Sequence, residues 1–171
     1  MERQGAHMIR FCGQEKCLID SNGRVKLSPR FLQDFRCEGD EVVLHCLPEG
    51  ALGVYPMATW TQMRQSEGRP AAKAAQSVVF RRQLRRFGAL TQQATITRQG
   101  RITIPAPFRA LTELDPGLEA YLVGCEIGVE IWNTTTWKQE MEALREHELR
   151  RAGAEMEADL DAAGNLTRNE S

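Results

Sequence analysis

The sequence predicts an α+β protein made of two copies of one β-rich unit, with short helices, a connecting helix between the copies and a helix at the C-terminal end. Three observations predict it. The stretch Ile19-Asp20-Ser21-Asn22-Gly23-Arg24-Val25-Lys26-Leu27 returns as Ile96-Thr97-Arg98-Gln99-Gly100-Arg101-Ile102-Thr103-Ile104. The offset of 77 residues then holds without a gap, through Phe31/Phe108, Glu49/Glu126, Thr59/Thr136, Trp60/Trp137 and Gln62/Gln139. That makes eight identities over residues 19–62, where ordinary composition gives about three. Finally, the same succession of turn, short helix, two strands and helix start follows each copy. Two copies are too few for a solenoid. One alone, under about 60 residues, buries a marginal core, so the two are expected to pack as a pseudo-symmetric pair.

The elements follow in order. Residues 1–10 read as a loose arm. Phe11 to Leu27 reads as strand, hairpin, strand, because Asn22-Gly23 tolerates the positive φ of a type I′ turn. Asp20 and Arg24 stand four apart across that turn, close enough to meet. Ser28 to Phe35 reads as a short helix, with Ser28 as cap and Pro29 at the first helical position; Phe31, Leu32 and Phe35 share its buried face. Glu41–Leu47 and Leu52–Tyr55 read as strands, and Thr59 begins a helix. Gly68-Arg69-Pro70 is a break. Ala71 to Phe87 reads as one helix ended by Gly88, with Arg81, Arg82, Arg85 and Arg86 along one side.

In the second copy, Thr95–Thr97 and Arg101–Ile104 form the hairpin and Ala106 to Leu114 the short helix. Glu119–Val123 and Val129–Trp132 are strands, and a helix runs from Thr136 to about Asp161. Its dense charge and partial apolar periodicity fit a solvated helix or one packed on a neighbouring subunit. Gly164 onward is expected to be disordered. The resulting organisation is repeat 1 at 14–59, a basic helical connector at 60–90, repeat 2 at 91–136 and a C-terminal helix and tail at 137–171.

Charge points to a class of partner. The net charge is −1, but its distribution is uneven. Residues 61–110 hold ten Lys and Arg against one acid, and residues 111–136 hold five acids and no base. Two basic hairpins on one side of a polarised molecule suggest a nucleic-acid reader. No apolar run approaches a membrane span, and the N-terminus lacks the apolar segment of a signal peptide. Five cysteines without a C-x-x-C pair read as reduced thiols. His7, His45 and His147 are isolated, so no metal site is expected. No cofactor, small-molecule substrate or catalytic residue is expected either, since no phosphate loop or Cys–His–acid set is legible.

Taken together, Asp20-Ser21-Asn22-Gly23-Arg24, Arg98-Gln99-Gly100-Arg101-Ile102-Thr103-Ile104-Pro105, Val54-Tyr55-Pro56…Trp60, Arg81-Arg82…Arg85-Arg86, Tyr121-Leu122-Val123-Gly124 and Glu130-Ile131-Trp132…Thr136-Trp137 carry a resemblance. From about Phe11 to Leu149 the chain resembles the MraZ family of bacterial transcriptional regulators. The resemblance implies two AbrB-like (SpoVT-AbrB) repeats of swapped-hairpin type, fused into one unit, and a ring-shaped homo-oligomer. It implies double-stranded promoter DNA as partner, bound at short direct repeats upstream of the division and cell-wall gene cluster, usually to repress, by a cytoplasmic, nucleoid-associated protein. The family usually keeps an Asp where Thr97 stands. Ser28 sits where Pro105 would predict proline, and Leu32 corresponds to Arg109.

The expected DNA-binding residues are Arg24, Lys26, Arg30, Arg98, Arg101 and Arg109. A guanidinium grips phosphate or reads guanine O6 and N7, and a two-stranded ribbon fits the major groove. Asp20, Asn22, Gly23 and Gly100 are expected to shape the turns. The bland reading makes Arg24 a partner of Asp20 only, but Arg101 persists where the acid is gone. Arg81–Arg86 either face DNA or pair with acids of a neighbouring subunit. Trp60 and Trp137 read as core or interface anchors. In the rival view the repeats serve only assembly, as an oligomeric protein-interaction module.

Overall fold

The computed structural model describes residues 9–66 and 70–168. Residues 1–8 of the expected arm and Gly68-Arg69 of the expected break lie outside them. In chain order the elements are β1 (Gln14–Leu18), β2 (Arg24–Lys26), α1 (Pro29–Arg36), β3 (Glu41–Cys46), β4 (Leu52–Pro56), α2 (Met57–Ser66), α3 (Pro70–Gln76), α4 (Val78–Ala89), β5 (Thr91–Thr95), β6 (Arg101–Thr103), α5 (Ala106–Thr112), β7 (Glu119–Gly124), β8 (Val129–Asn133) and α6 (Thr134–Arg168). The chain divides into two compact units, residues 1–134 and 135–171.

The first unit is all-antiparallel in its β structure, with helices, and so of the α+β class. Its main sheet has the order β1-β7-β8-β4-β3-β5, and β2 pairs with β6 as a separate ribbon. The repeats interleave: only β3·β4 and β7·β8 join strands of one repeat. The other four pairings, β1·β7, β2·β6, β3·β5 and β4·β8, cross between repeats. Register reveals the symmetry. Gly53 lies opposite Glu130 and Val25 opposite Ile102, each pair related by the same 77-residue offset. A pseudo-twofold axis therefore passes through the middle of the sheet and the middle of the ribbon.

This corrects the simple hairpin read from the residues of each copy and agrees with the swapped-hairpin repeats that the resemblance implies. Beyond the bridge Ile19↔Val25, β1 and β2 part and pair with strands of the other repeat. The apolar residues explain the exchange. Ile19, Val25, Leu27, Ile96, Ile102 and Ile104 are at most 2 % exposed, and join Phe11, Phe31, Phe35 and Phe108 in one core. Val25 and Ile102 face each other across the ribbon, so each repeat supplies the apolar partner that the other lacks.

Two helix boundaries also differ from expectation. The helix expected over 71–87 is broken at Ser77, whose hydroxyl accepts from the Phe80 amide at 3.1 Å and starts a new helix. Gly88 lies inside α4, which ends at Ala89. By contrast, Ser28 caps α1 as expected and Pro29 follows it. In the second unit the helix runs on to Arg168, past the expected end near Asp161 and through the start of the expected disorder. Met141, Leu144, Leu149, Met156 and Leu160 are exposed on it.

Candidate nucleic-acid interface

Each repeat begins with the same three-residue loop. In the first, the Gly23 amide donates to Asp20 O (2.9 Å) and the Asp20 amide to Arg24 O (2.9 Å). Gly23 has φ +70°, whereas Asn22 is not among the residues with positive φ. A type I′ turn needs positive φ at both central positions, so that expectation is corrected. The loop is a turn followed by one left-handed glycine. In the second, Gly100 has φ +75°, and the matching bonds are Gly100 to Thr97 O (2.8 Å) and Thr97 to Arg101 O (2.9 Å).

The reason for the glycines is doubled by close packing. A Cβ on Gly23 would strike the Arg109 guanidinium, and one on Gly100 would come within 2.8 Å of Leu32 Cδ2. Both contacts cross between repeats.

The two loops differ in electrostatics. Asp20 Oδ1 accepts from the Asn22 and Arg24 amides, each at 2.9 Å, and Oδ2 accepts from Arg24 Nε at 2.9 Å. The Asp20 carboxyl is held below its ordinary value of 3.8, first by the Arg24 amide, against an opposing desolvation, and further by the Arg24 side chain, the Asn22 amide and the Arg24 charge. In the second loop Thr97 Oγ1 accepts from the Arg101 amide (3.0 Å), and Arg101 Nη1 donates to Gln99 Oε1 (2.8 Å). A neutral carboxamide thus replaces the acid as the guanidinium's partner.

The ribbon sets where these side chains face. Val25 and Ile102 are buried between exposed or half-buried neighbours. Residues two apart on a strand, and residues directly opposite, share a face. Lys26 stands opposite Arg101 and Arg24 opposite Thr103. Arg24, Lys26, Arg101 and Thr103 therefore line the outer face of one two-stranded ribbon. Among the described residues, Arg24 has an ion pair with Asp20, while no carboxylate is paired with Lys26 or Arg101.

The other expected residues are placed differently. Arg109 is half-buried, donates through Nη1 to Ile104 O (2.6 Å) and packs on Gly23. Arg30 lies over the Phe31 ring, 4.9 Å from its centre, and a Cβ on Gly13 would come within 2.7 Å of its Nη2; it attends the start of β1 rather than the ribbon. Arg98 is exposed in the second loop, and its carbonyl accepts from Arg36 Nη2 at 2.8 Å.

Sequence reasoning missed Arg36, Gln99 and Thr103. The alternation in Arg101-Ile102-Thr103 contained the signal for Thr103, and the 77-residue offset maps Gln99 onto Asn22. Nothing local marked Arg36.

The connector packs by aromatic stacking. Trp60 stacks on Phe87 (5.2 Å between ring centres) and on Tyr55 (5.6 Å), and Arg64 covers Phe87 at 3.9 Å. Trp60 is therefore a packing residue, as expected. His45 joins this group, 4.7 Å from Phe87, and its Nδ1 lies 2.9 Å from Thr91 Oγ1. Its pKa is lowered, chiefly by burial, and further by the charges of Arg86 and Arg64, against a backbone contact with Leu90. Arg81 is tied to Ala74 O at 2.7 Å, whereas Arg82, Arg85 and Arg86 are exposed.

The duplication is also found by comparison. The model of the family described as "MraZ protein, putative antitoxin-like" matches residues 10–82 and again 88–164. The chain belongs to the MraZ family. The transcriptional regulator MraZ of Thermomicrobium roseum is 32% identical over 142 residues, covering 78% of this chain and 89% of that one. Proteins of the same name from Moorella thermoacetica (30% identical; 75% and 85% covered) and Frankia alni (32%; 80% and 90%) are similar in the same way. Both MraZ repeats are thus present. No helix among the described residues is long and apolar enough to cross a membrane.

Proposed function

We propose that this MraZ-family chain is a transcriptional regulator that binds double-stranded promoter DNA through the outer face of the β2·β6 ribbon. The name of its relatives supports the regulatory role. The observation that carries the DNA contact is the register placing Lys26 across from Arg101 with Arg24 on the same face. Like charges directly opposite on a ladder destabilise it, and a polyanion relieves that repulsion. A ribbon of two strands also fits the major groove. Arg24 and Arg101 carry the contact, Lys26 and Arg98 add phosphate attraction, and Asp20, Asn22, Gly23 and Gly100 hold the loops. Arg109 acts by bracing the first loop, and Arg30 lies outside this face.

The target is a set of short direct repeats upstream of the division and cell-wall genes, in the protein's own promoter, and the outcome is repression. The working form is a homo-oligomeric ring in the cytoplasm and nucleoid. Several ribbons on one ring engage successive repeats, each raising the effective concentration for the next.

The double substitution Arg24→Ala with Arg101→Ala tests this. It should abolish binding to the upstream DNA in gel shift while sedimentation shows an intact assembly. Normal DNA binding by the variant would refute the contact. Dissociation of the variant would favour the rival view, in which the arginines hold subunits together.

A further inference from the structure

We propose that the two loops divide the labour on DNA: Arg24 discriminates sequence, and Arg101 clamps phosphate without regard to sequence. The inference rests on the DNA contact proposed above and assigns each loop its part.

The pseudo-twofold axis makes the two loops equivalent in backbone, so differences in side-chain partners stand out. Arg24 is held by a carboxylate, and that carboxylate is itself held by two backbone amides. Nε is spent on Asp20, which leaves the terminal nitrogens as an oriented fork. The pair carries no net charge, and the acid beside it repels phosphate. What remains is geometric: a planar donor fork aimed from a fixed base, the form of contact that distinguishes one base edge from another.

Arg101 has the opposite character. Its partner Gln99 is neutral and exposed, so the charge is not compensated and its anchor is a solvated side chain. Thr97 is spent on the backbone. Lys26 stands directly opposite and exposed Arg98 belongs to the same loop. These three cations, with no carboxylate partner among the described residues, suit phosphate oxygens, which accept from many directions and reward charge rather than aim.

The residue at position 97 then has a function. A threonine there keeps the backbone bond of the loop while freeing the arginine's charge. The arrangement lets one ribbon hold DNA anywhere through one end and test its sequence through the other.

The test uses the full chain, the tightest duplex that it selects from a random library, and a scrambled duplex of equal length, titrated by fluorescence anisotropy across a range of salt. Arg101→Gln should weaken binding to both duplexes by the same factor and lower the slope of log affinity against log salt by about 0.9 for each phosphate no longer neutralised. Arg24→Gln combined with Asp20→Asn, which keeps the local charge at zero, should leave that slope unchanged and cut the ratio between the duplexes by about fivefold or more, the value of one bidentate base contact. Thr97→Asp should lower the salt slope as Arg101→Gln does, because it supplies the missing acid. Charge-neutral Arg24→Gln/Asp20→Asn and Arg101→Gln variants that change slope and ratio alike would overturn the division of labour while leaving the DNA contact standing. Variants that bind both duplexes as the parent does would overturn the contact itself. Failure to select any preferred duplex would overturn the sequence-reading role of Arg24.

Discussion

A chain cut between its repeats should lose its fold, and the structure says by how much. Separating residues 1–90 from 91–171 breaks the four strand pairings that cross between repeats and leaves each half with one hairpin. It also strips cover from Ile19, Val25, Leu27, Ile96, Ile102 and Ile104, all at most 2 % exposed in the whole chain. Full burial of such a side chain is worth about 1.5–3 kcal/mol. Six of them represent roughly 9–18 kcal/mol, as much as or more than the about 5–15 kcal/mol that holds a domain folded. Each half alone should therefore be unfolded as a monomer. Because of the pseudo-symmetry it should regain structure only by pairing, with itself or with the other half, so its folding will depend on concentration. Urea titration followed by circular dichroism, with sedimentation over a hundredfold range of concentration, provides the assay. A half that unfolds cooperatively as a monomer, with a midpoint independent of concentration, would refute the argument that exchanged strands hold this fold together.

Other outcomes follow from the same contacts. Phe31→Ala empties a fully buried site and should cost about 3–5 kcal/mol in denaturant. Gly100→Ala and Gly23→Ala both force alanine into left-handed backbone, worth about 1–2 kcal/mol. Gly23→Ala should also weaken DNA binding more, because it displaces the cation of Arg109 and not the flexible tip of Leu32; equal effects on binding would count against that account. His45 has a lowered native pKa, so below pH about 6.5 the unfolded chain takes up the proton first. Stability present above that pH should fall as pH drops toward the native value, and His45→Phe should remove this part of the dependence, seen in urea midpoints at about pH 7.5 and 5.5.

Much of the fold was legible because much of it is local. Ser28-Pro29 followed by Phe31, Leu32 and Phe35 states a capped helix with a buried face, and the structure has it. Val42 to Leu44 states a strand by its apolar run, and Val129 to Trp132 by apolar residues on both sides of Glu130. Strand partners were not legible from local pattern, and only the resemblance, with its swapped hairpins, pointed to them. Local pattern does not choose between a hairpin and an exchanged pairing of β1 and β2; in the structure Val25 faces Ile102, 77 positions away. The turn type failed for a related reason: Asn22 tolerates positive φ, but Asp20 offers its carboxylate to two amides and stabilises a loop in which only Gly23 needs it. The break at Ser77 was missed because alanine-rich sequence before it favours helix, and one hydroxyl cap outweighs that preference. Of the candidate site, the arginines were readable from their alternation with Val25 and Ile102. The partners that separate Arg24 from Arg101 depend on loop geometry, which composition does not encode.

The pattern of what differs between the repeats separates constraint from freedom. Leu32 and Arg109 are equivalent positions, and each packs on the turn glycine of the other repeat. The tip of the leucine and the guanidinium of the arginine fill that space alike. Only the charge at the end differs. Asp20 and Thr97 behave the same way: both accept from the amide four residues on, and only one carries charge. Around the turns the backbone keeps its twofold symmetry, with the same hydrogen bonds in both repeats, over a shared core. The charges lie outside that core and cost little to alter. On the loops and the ribbon the halves differ in charge, at Asp20/Thr97, Ser21/Arg98, Lys26/Thr103 and Leu32/Arg109, so a pseudo-symmetric frame carries two unlike tips, which the proposed contact would present to an asymmetric stretch of DNA.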